Sequence, residues 1–189
     1  MTTPTLSRPP GYPDDYVCDE VLEDGRVVHV RPVVPDDVAE LRRAVQRADP
    51  ETIRRRFLGG GPPTTDAQLR RLVTVDYDRR FAVAAFDDDG TGVGIARYEG
   101  ERTWPVVEVA VAVDPAWRGV GLSRALMRAV LRRAVERGAT ALHAEFFADN
   151  VRVRRLIAEA GLAERRSIDL GVVADEISLD GVMLEQLAR

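Results

Sequence analysis

Lysine is absent from this 189-residue chain: all 27 basic side chains are arginines. A phosphate loop of the nucleotide-hydrolase kind needs Gly-Lys-Ser/Thr after its glycines, so that reading is excluded. Cysteine occurs once, at Cys18, and an internal disulfide is therefore impossible. The two histidines, His29 and His143, stand far apart and offer no recognisable zinc spacing, so no metal is expected. No apolar run approaches the ~20 residues of a membrane span. Met1 to Pro10 lacks a signal peptide's apolar segment. A cytoplasmic protein without membrane contact is the expectation. A net charge of -4 argues against a nucleic-acid partner. There is no internal repeat, and 45% hydrophobic content suffices for one sizeable core.

What is present centres on Glu108-Val-Ala-Val-Ala-Val-Asp-Pro-Ala-Trp-Arg-Gly-Val-Gly-Leu-Ser123. Val106 to Val113 is apolar and largely β-branched, as a buried strand is, with Glu108 its only charge. Asp114-Pro115 stops the strand. Beyond Arg118-Gly-Val-Gly121, the residues Leu122, Ala125, Leu126, Ala129 and Val130 recur at helical spacing. A strand thus passes through a glycine turn into a helix. Such a turn aims free N–H groups and the positive end of a helix dipole at one spot, and Gly119 and Gly121 let a bulky anion approach. Phosphate or pyrophosphate is the implied ligand. A dinucleotide fingerprint fails, because Arg124 stands where its third glycine belongs.

The pattern Arg-x-x-Gly-x-small from Arg118 to Ser123, after Val-x-Val-Asp-Pro, resembles the coenzyme A pyrophosphate loop of the GNAT acetyltransferase family. Asn150, opening Asn-Val-Arg-Val-Arg-Arg-Leu-Ile-Ala-Glu-Ala-Gly-Leu162, resembles that family's second motif. The resemblance implies acetyl-CoA as cosubstrate. It implies cofactor contacts from Arg118, Gly119, Val120, Gly121, Leu122 and Ser123, and main-chain bonds from Val111, Ala112 and Val113 to the pantetheine arm, which Asn150 also reaches. For Asn150 a plain helix N-cap is an equally local explanation. Gly25-Arg-x3-Val-Arg-Pro32, Arg56-Phe57, Thr74-Val-Asp-Tyr-Asp78, Glu108-Val-Ala and Gly171-Val-Val173 further resemble the catalytic domain of the Pat-like bacterial protein lysine acetyltransferases that act on acyl-CoA synthetases. Two positions depart from the pattern. Ser123 replaces the usual glycine or alanine, and Ile157 stands where many members carry a tyrosine that protonates the leaving thiolate. No general acid is assigned.

In that family an amine attacks the thioester of acetyl-CoA. An alkylammonium has a pKa near ~10.4, so a base must take its proton. Glu108 is the candidate. Strict alternation puts it on one face with Ala110 and Ala112, whose small side chains leave room for a substrate. Burial among apolar residues would raise its pKa; the alternative is a structural pair with Arg97 or another arginine.

In chain order, a Pro-rich arm (1–15) is expected to be flexible, a domain spans 16–179, and a tail follows over 180–189. Tyr16–Glu23 and Arg26–Val33 read as strands around an Asp24-Gly25 hairpin turn. Cys18 is expected buried or half-buried. Helices follow from Pro35-Asp-Asp37, from Asp49-Pro50 and from Thr64 or Thr65. Strands are expected at Phe81–Phe86, Gly92–Tyr98, Ala141–Phe147, from about Leu162, and at Val172–Leu179, with a helix over 150–160. His143 is expected to be a packed strand residue. The order gives an α+β fold, mainly antiparallel, with one parallel βαβ crossover. In the GNAT family this is the acyl-CoA N-acyltransferase fold, whose two parallel strands splay apart. The expected partners are acetyl-CoA or CoA and either a protein with an exposed lysine or a small amine. A non-catalytic CoA-binding regulatory module is the remaining alternative, and the protein is expected to be a monomer or homodimer. Arg54, Arg55 and Arg56 form a basic run suited to an acidic patch on a partner.

Overall fold

The computed structural model describes residues 7–100, 102–159 and 164–179. Strands β1 (Cys18–Val21) and β2 (Val27–Pro32) form the expected hairpin, with Gly25 at φ +84° and its N–H donating to Leu22 O at 2.9 Å. In β2, Val28 and Val30 are buried and His29 is exposed, the alternation of a strand with one covered face. β1 is the edge of the sheet, which is why Cys18 is exposed rather than buried.

Three helices follow: α1 (Val38–Arg47), α2 (Pro50–Arg56) and α3 (Asp66–Val73). Local chemistry starts two of them. Asp49 accepts from Thr52 N ahead of Pro50 at the first turn of α2. Thr65 and Gln68 exchange bonds with each other's backbone in a capping box that opens α3.

The remaining elements are β3 (Arg80–Phe86), β4 (Gly92–Glu99), β5 (Val106–Val113), α4 (Leu122–Glu136), β6 (Ala141–Phe147), α5 (Val151–Glu159), β7 (Glu164–Asp169) and β8 (Val172–Ser178). The strand expected from Leu162 is described from Glu164 onward; Gly161, Leu162 and the tail 180–189 lie outside the described residues, as do residues 1–6. Strand order is β1-β2-β3-β4-β5-β6-β8-β7, and β5–β6 is the one parallel pair among the described strands. The crossover between them runs through α4, as the sequence predicts.

Helix α4 covers one face of β3, β4 and β5, while α1 and α3 pack together on the other. With both faces covered, β3 is buried almost throughout. On the α4 face, Phe81, Tyr98, Leu122 and Leu126 form the centre of the main core. A Cβ at Gly94 would lie 2.9 Å from Leu126 Cδ1, so a bare backbone there is what lets α4 sit down on β4. Tyr12, within the segment assigned to the N-terminal arm, meets Tyr77 edge-on at 5.7 Å. Tyr16 is buried edge-on against Phe81 at 5.2 Å, and its hydroxyl donates to Glu136 Oε2 at 2.6 Å.

Candidate active site

Pairing between β5 and β6 consists of three rungs, Val106↔Ala141, Val107↔Leu142 and Glu108↔His143. It then stops, although β5 runs on to Val113 and β6 to Phe147. β5 stays paired with β4 as far as Gly94↔Val113, and β6 with β8 over its whole length. The two central strands therefore splay. Main-chain groups of Val109–Val113 that point away from β4 have no strand to bond, and such an edge accepts an extended ligand as if it were a strand. Val111, Ala112 and Val113 lie on it.

At the far end of β5, Asp114 accepts from Ala116 N at 2.9 Å and shapes a short 3₁₀ turn over Pro115–Trp117. Gly119 and Gly121 follow at φ +77° and +88°, in the left-handed region, and Gly121 caps α4. An added Cβ at Gly119 meets nothing within 4 Å, and one at Gly121 comes to 3.1 Å from Glu23 Oε1. The first N–H groups of α4, from Leu122 and Ser123 onward, have no intrahelical acceptor. An open approach to free donors at a helix start has the chemistry of an anion site.

The β1–β2 hairpin is fastened to this loop, which sequence reasoning missed. Glu23 N donates to Val120 O at 3.1 Å, and Arg26 lies 4.0 Å over the Trp117 ring while donating to Ala116 O. The side chain of Arg118 turns away towards α2. Its Nε donates to Val113 O at 3.2 Å, and its Nη2 donates to Thr52 Oγ1 and to Asp49 Oδ2, the latter at 3.2 Å. The bonds from Thr52, and then from Arg118, hold the Asp49 carboxyl down to about 2.

Glu108 shares a face with Ala110 and Ala112, with no bulge in β5, as predicted. Its burial does not follow. Glu108 is exposed, because the helices on this face pack against β4 and the far end of β5, and β6 departs immediately beyond it. It makes no ion pair with a described residue. Arg97, the alternative partner, bonds instead to Glu99, which Arg80 also engages at 2.8 Å. Glu108 thus stands free between Glu99 on β4 and His143 on β6. His143 is half-buried rather than packed in apolar surroundings, with Nε2 3.3 Å from Glu145 Oε1.

Ala110 and Ala112 form, with Ile95 and Arg97, the floor of a cavity of about 140 Å³ between the sheet and helices α1 and α2. Asn150 begins α5: its N–H donates to Phe147 O at 2.8 Å and its Oδ1 accepts from Val153 N at 3.4 Å. The N-cap explanation therefore holds, and the side-chain amide N–H groups have no partner among the described residues. Ile157 is buried in the main core, so no acid faces the site from that position.

Comparison with known proteins agrees with this geometry. A family profile described as "Acetyltransferase (GNAT) domain" matches residues 28–163. An acetyltransferase of Pseudomonas aeruginosa is 33% identical over 153 residues, which is 79% of this chain and 82% of that protein. The acetyltransferase Pat of Mycolicibacterium smegmatis is 31% identical over 164 residues, 85% of this chain but 48% of that one, so the chain spans about half of that relative. The crystal structure of the GNAT domain of S. lividans PAT superposes with a TM-score of 0.80 at 29% identity, covering 89% of this chain and 99% of that domain.

Proposed function

The chain belongs to the GNAT family of acetyl-CoA-dependent N-acetyltransferases, and from that premise we propose that it acetylates lysine side chains of a protein, for example an acyl-CoA synthetase, with Glu108 as general base. One observation carries the reading: the free carboxylate of Glu108 sits on the last rung before β5 and β6 part, at the head of the groove. A thioester lying in that groove and an amine arriving over Ala110 would meet beside it. Glu108 takes a proton from the ammonium, the nitrogen lone pair attacks the thioester carbonyl carbon, and the tetrahedral adduct collapses by breaking the C–S bond. The departing thiolate is protonated by water, since Ile157 supplies no acid. In this reading the amides of Val111, Ala112 and Val113 bond the pantetheine arm. The N–H groups of Gly119, Val120, Gly121, Leu122 and Ser123 receive the pyrophosphate, and Asn150 reaches the same arm with its free amide. Arg118 contributes by pinning the loop to Asp49 and Thr52.

A protein acceptor is favoured by the resemblance to Pat and to the S. lividans PAT domain, proteins named for that group. The small volume of the cavity, about 140 Å³, favours the second reading, a small amine. The reading places the chain in the cytoplasm; among the described residues no helix is long and apolar enough to cross a membrane. The test is to supply labelled acetyl-CoA and a cell lysate split by size. Label in folded protein supports the lysine reading, and label confined to the small-molecule fraction overturns it.

A further inference from the structure

Helix α2 ends on three consecutive arginines, and two of them are neutralised. Arg54 donates to both carboxylate oxygens of Glu51, at 2.8 and 3.0 Å, and reaches Asp149 at 3.2 Å. Arg55 engages Glu51 and stands 3.7 Å from Asp149. The run is therefore not a uniform basic surface. Arg56 is the exception: it lines the cavity, lies 5.2 Å over the Phe57 ring, and makes no hydrogen bond or ion pair with a described residue.

Most other charges around the cavity are engaged, and Asp114 at its rim accepts from Ala116 N. Asp37 is held by both terminal nitrogens of Arg31, at 2.9 and 2.6 Å. Glu40 is held by Arg43, Arg47 and the N–H of Gly92. Arg97 gives its terminal nitrogens to Glu99 and to Leu72 O, which leaves its buried Nε without an acceptor. Burial, and then the charge of Arg97, hold the guanidinium of Arg56 below its ordinary pKa against the opposing charge of Glu99. Arg56 and the Nε of Arg97 thus keep donor capacity beside a largely apolar space. Arg56 is half-buried, with only the Phe57 ring beneath it and no hydrogen-bonded carboxylate, so its guanidinium keeps its donors for a ligand that enters the cavity.

We propose that the acetyl acceptor carries a carboxylate beside its amine, and that this carboxylate enters the cavity and pairs with Arg56 while the amine meets Glu108. The inference rests on the amine-acetylation reading above and narrows its substrate class. Ala110 joins the two ends: it lies on the cavity floor and one alternate strand position, about 7 Å, from Glu108. A molecule positive at one end and negative at the other would find both charges answered. Two sources supply that chemistry, an Asp or Glu flanking the target lysine of a protein, or the carboxylate of a free amino acid.

The test uses the full chain with acetyl-CoA and a peptide library holding one lysine between degenerate flanks, read by mass spectrometry. A parallel set compares free amino acids with their decarboxylated amines. Wild type should enrich acidic flanks, or prefer amino acids over amines, by about tenfold or more, the size of one charge-assisted bond. Arg56→Met should abolish that preference and Arg56→Glu should turn it towards basic flanks. Arg56→Met should also raise the melting temperature, whereas an arginine kept for packing would lower it when removed. Acetylated products with no acidic preference, or a preference unchanged in Arg56→Met, overturn the proposal. Should no amine be acetylated, it is the amine-acetylation reading that fails. Calorimetry with glutarate then decides this claim alone: binding lost in Arg56→Met upholds it, and equal heats overturn it.

Discussion

Glu108 on β5 and His143 on β6 face each other on the last rung of parallel pairing, and beyond them the two strands part. That single rung fixes two things at once. It sets where an extended ligand can begin to replace a strand, and it leaves a carboxylate uncovered at the same point. β6 can leave β5 because β8 pairs with it along its full length, so the departure leaves its other edge satisfied.

The glycine loop makes a separable prediction. Gly121 sits at φ +88°, and its missing Cβ would reach 3.1 Å from Glu23 Oε1. Gly121→Val should destabilise the fold by about 1–2 kcal/mol through backbone strain. It should also weaken acetyl-CoA binding by about tenfold or more by filling the approach to the helix start. Titration calorimetry beside a thermal melt checks this. Undiminished affinity would remove the loop from the cofactor site.

Asp49 gives the account an acid window. Its carboxyl is held down to about 2, first by the bonds from Thr52 and then by Arg118. A depressed carboxyl contributes fully above its unfolded value of ~3.9 and loses that contribution as pH falls through about 2. Wild type should therefore be slightly more stable than Asp49→Asn at neutral pH, by roughly 0.2–1 kcal/mol for so exposed a pair. The gap should close as pH drops through that window. A gap independent of pH would mean that ionisation of Asp49 does not fasten the loop.

Arg54 and Arg55 tie α2, which packs on β5, to Asp149, which follows β6. These pairs bridge the two sides of the splay, with Arg54 lying 4.4 Å over the ring of Phe147. Asp149→Ala should speed release of acetyl-CoA by about two- to fivefold, the range expected of an exposed ion pair, and added salt should do the same to wild type. Stopped-flow displacement reads both rates. An unchanged release rate would make the bridge incidental.

Much of this arrangement is legible in local chemistry. Asp24-Gly25 announces the hairpin, Thr65 and Gln68 announce α3, and Asp114-Pro115 with the two glycines announces the turn into α4. Alternation alone puts Glu108 on one face with Ala110 and Ala112. The environment of Glu108 is not legible, because an apolar strand sequence implies burial, while its exposure depends on where β6 stops pairing. Nor does the sequence show that Arg118 spends its side chain on Asp49 and Thr52, residues 69 and 66 positions away. Three adjacent arginines look alike in sequence, and only the packing of α2 against the sheet turns Arg56 inward while Arg54 and Arg55 find carboxylates.

The most direct test of the account is the pH dependence of acetyl transfer by Glu108→Gln, a near-isosteric change that removes the base. We expect kcat to fall by ~10²-fold or more near neutral pH, with affinity for acetyl-CoA little changed and with the variant recovering activity as rising pH supplies the free amine. A variant that keeps full kcat and the wild-type profile would contradict the assignment of Glu108 as the base.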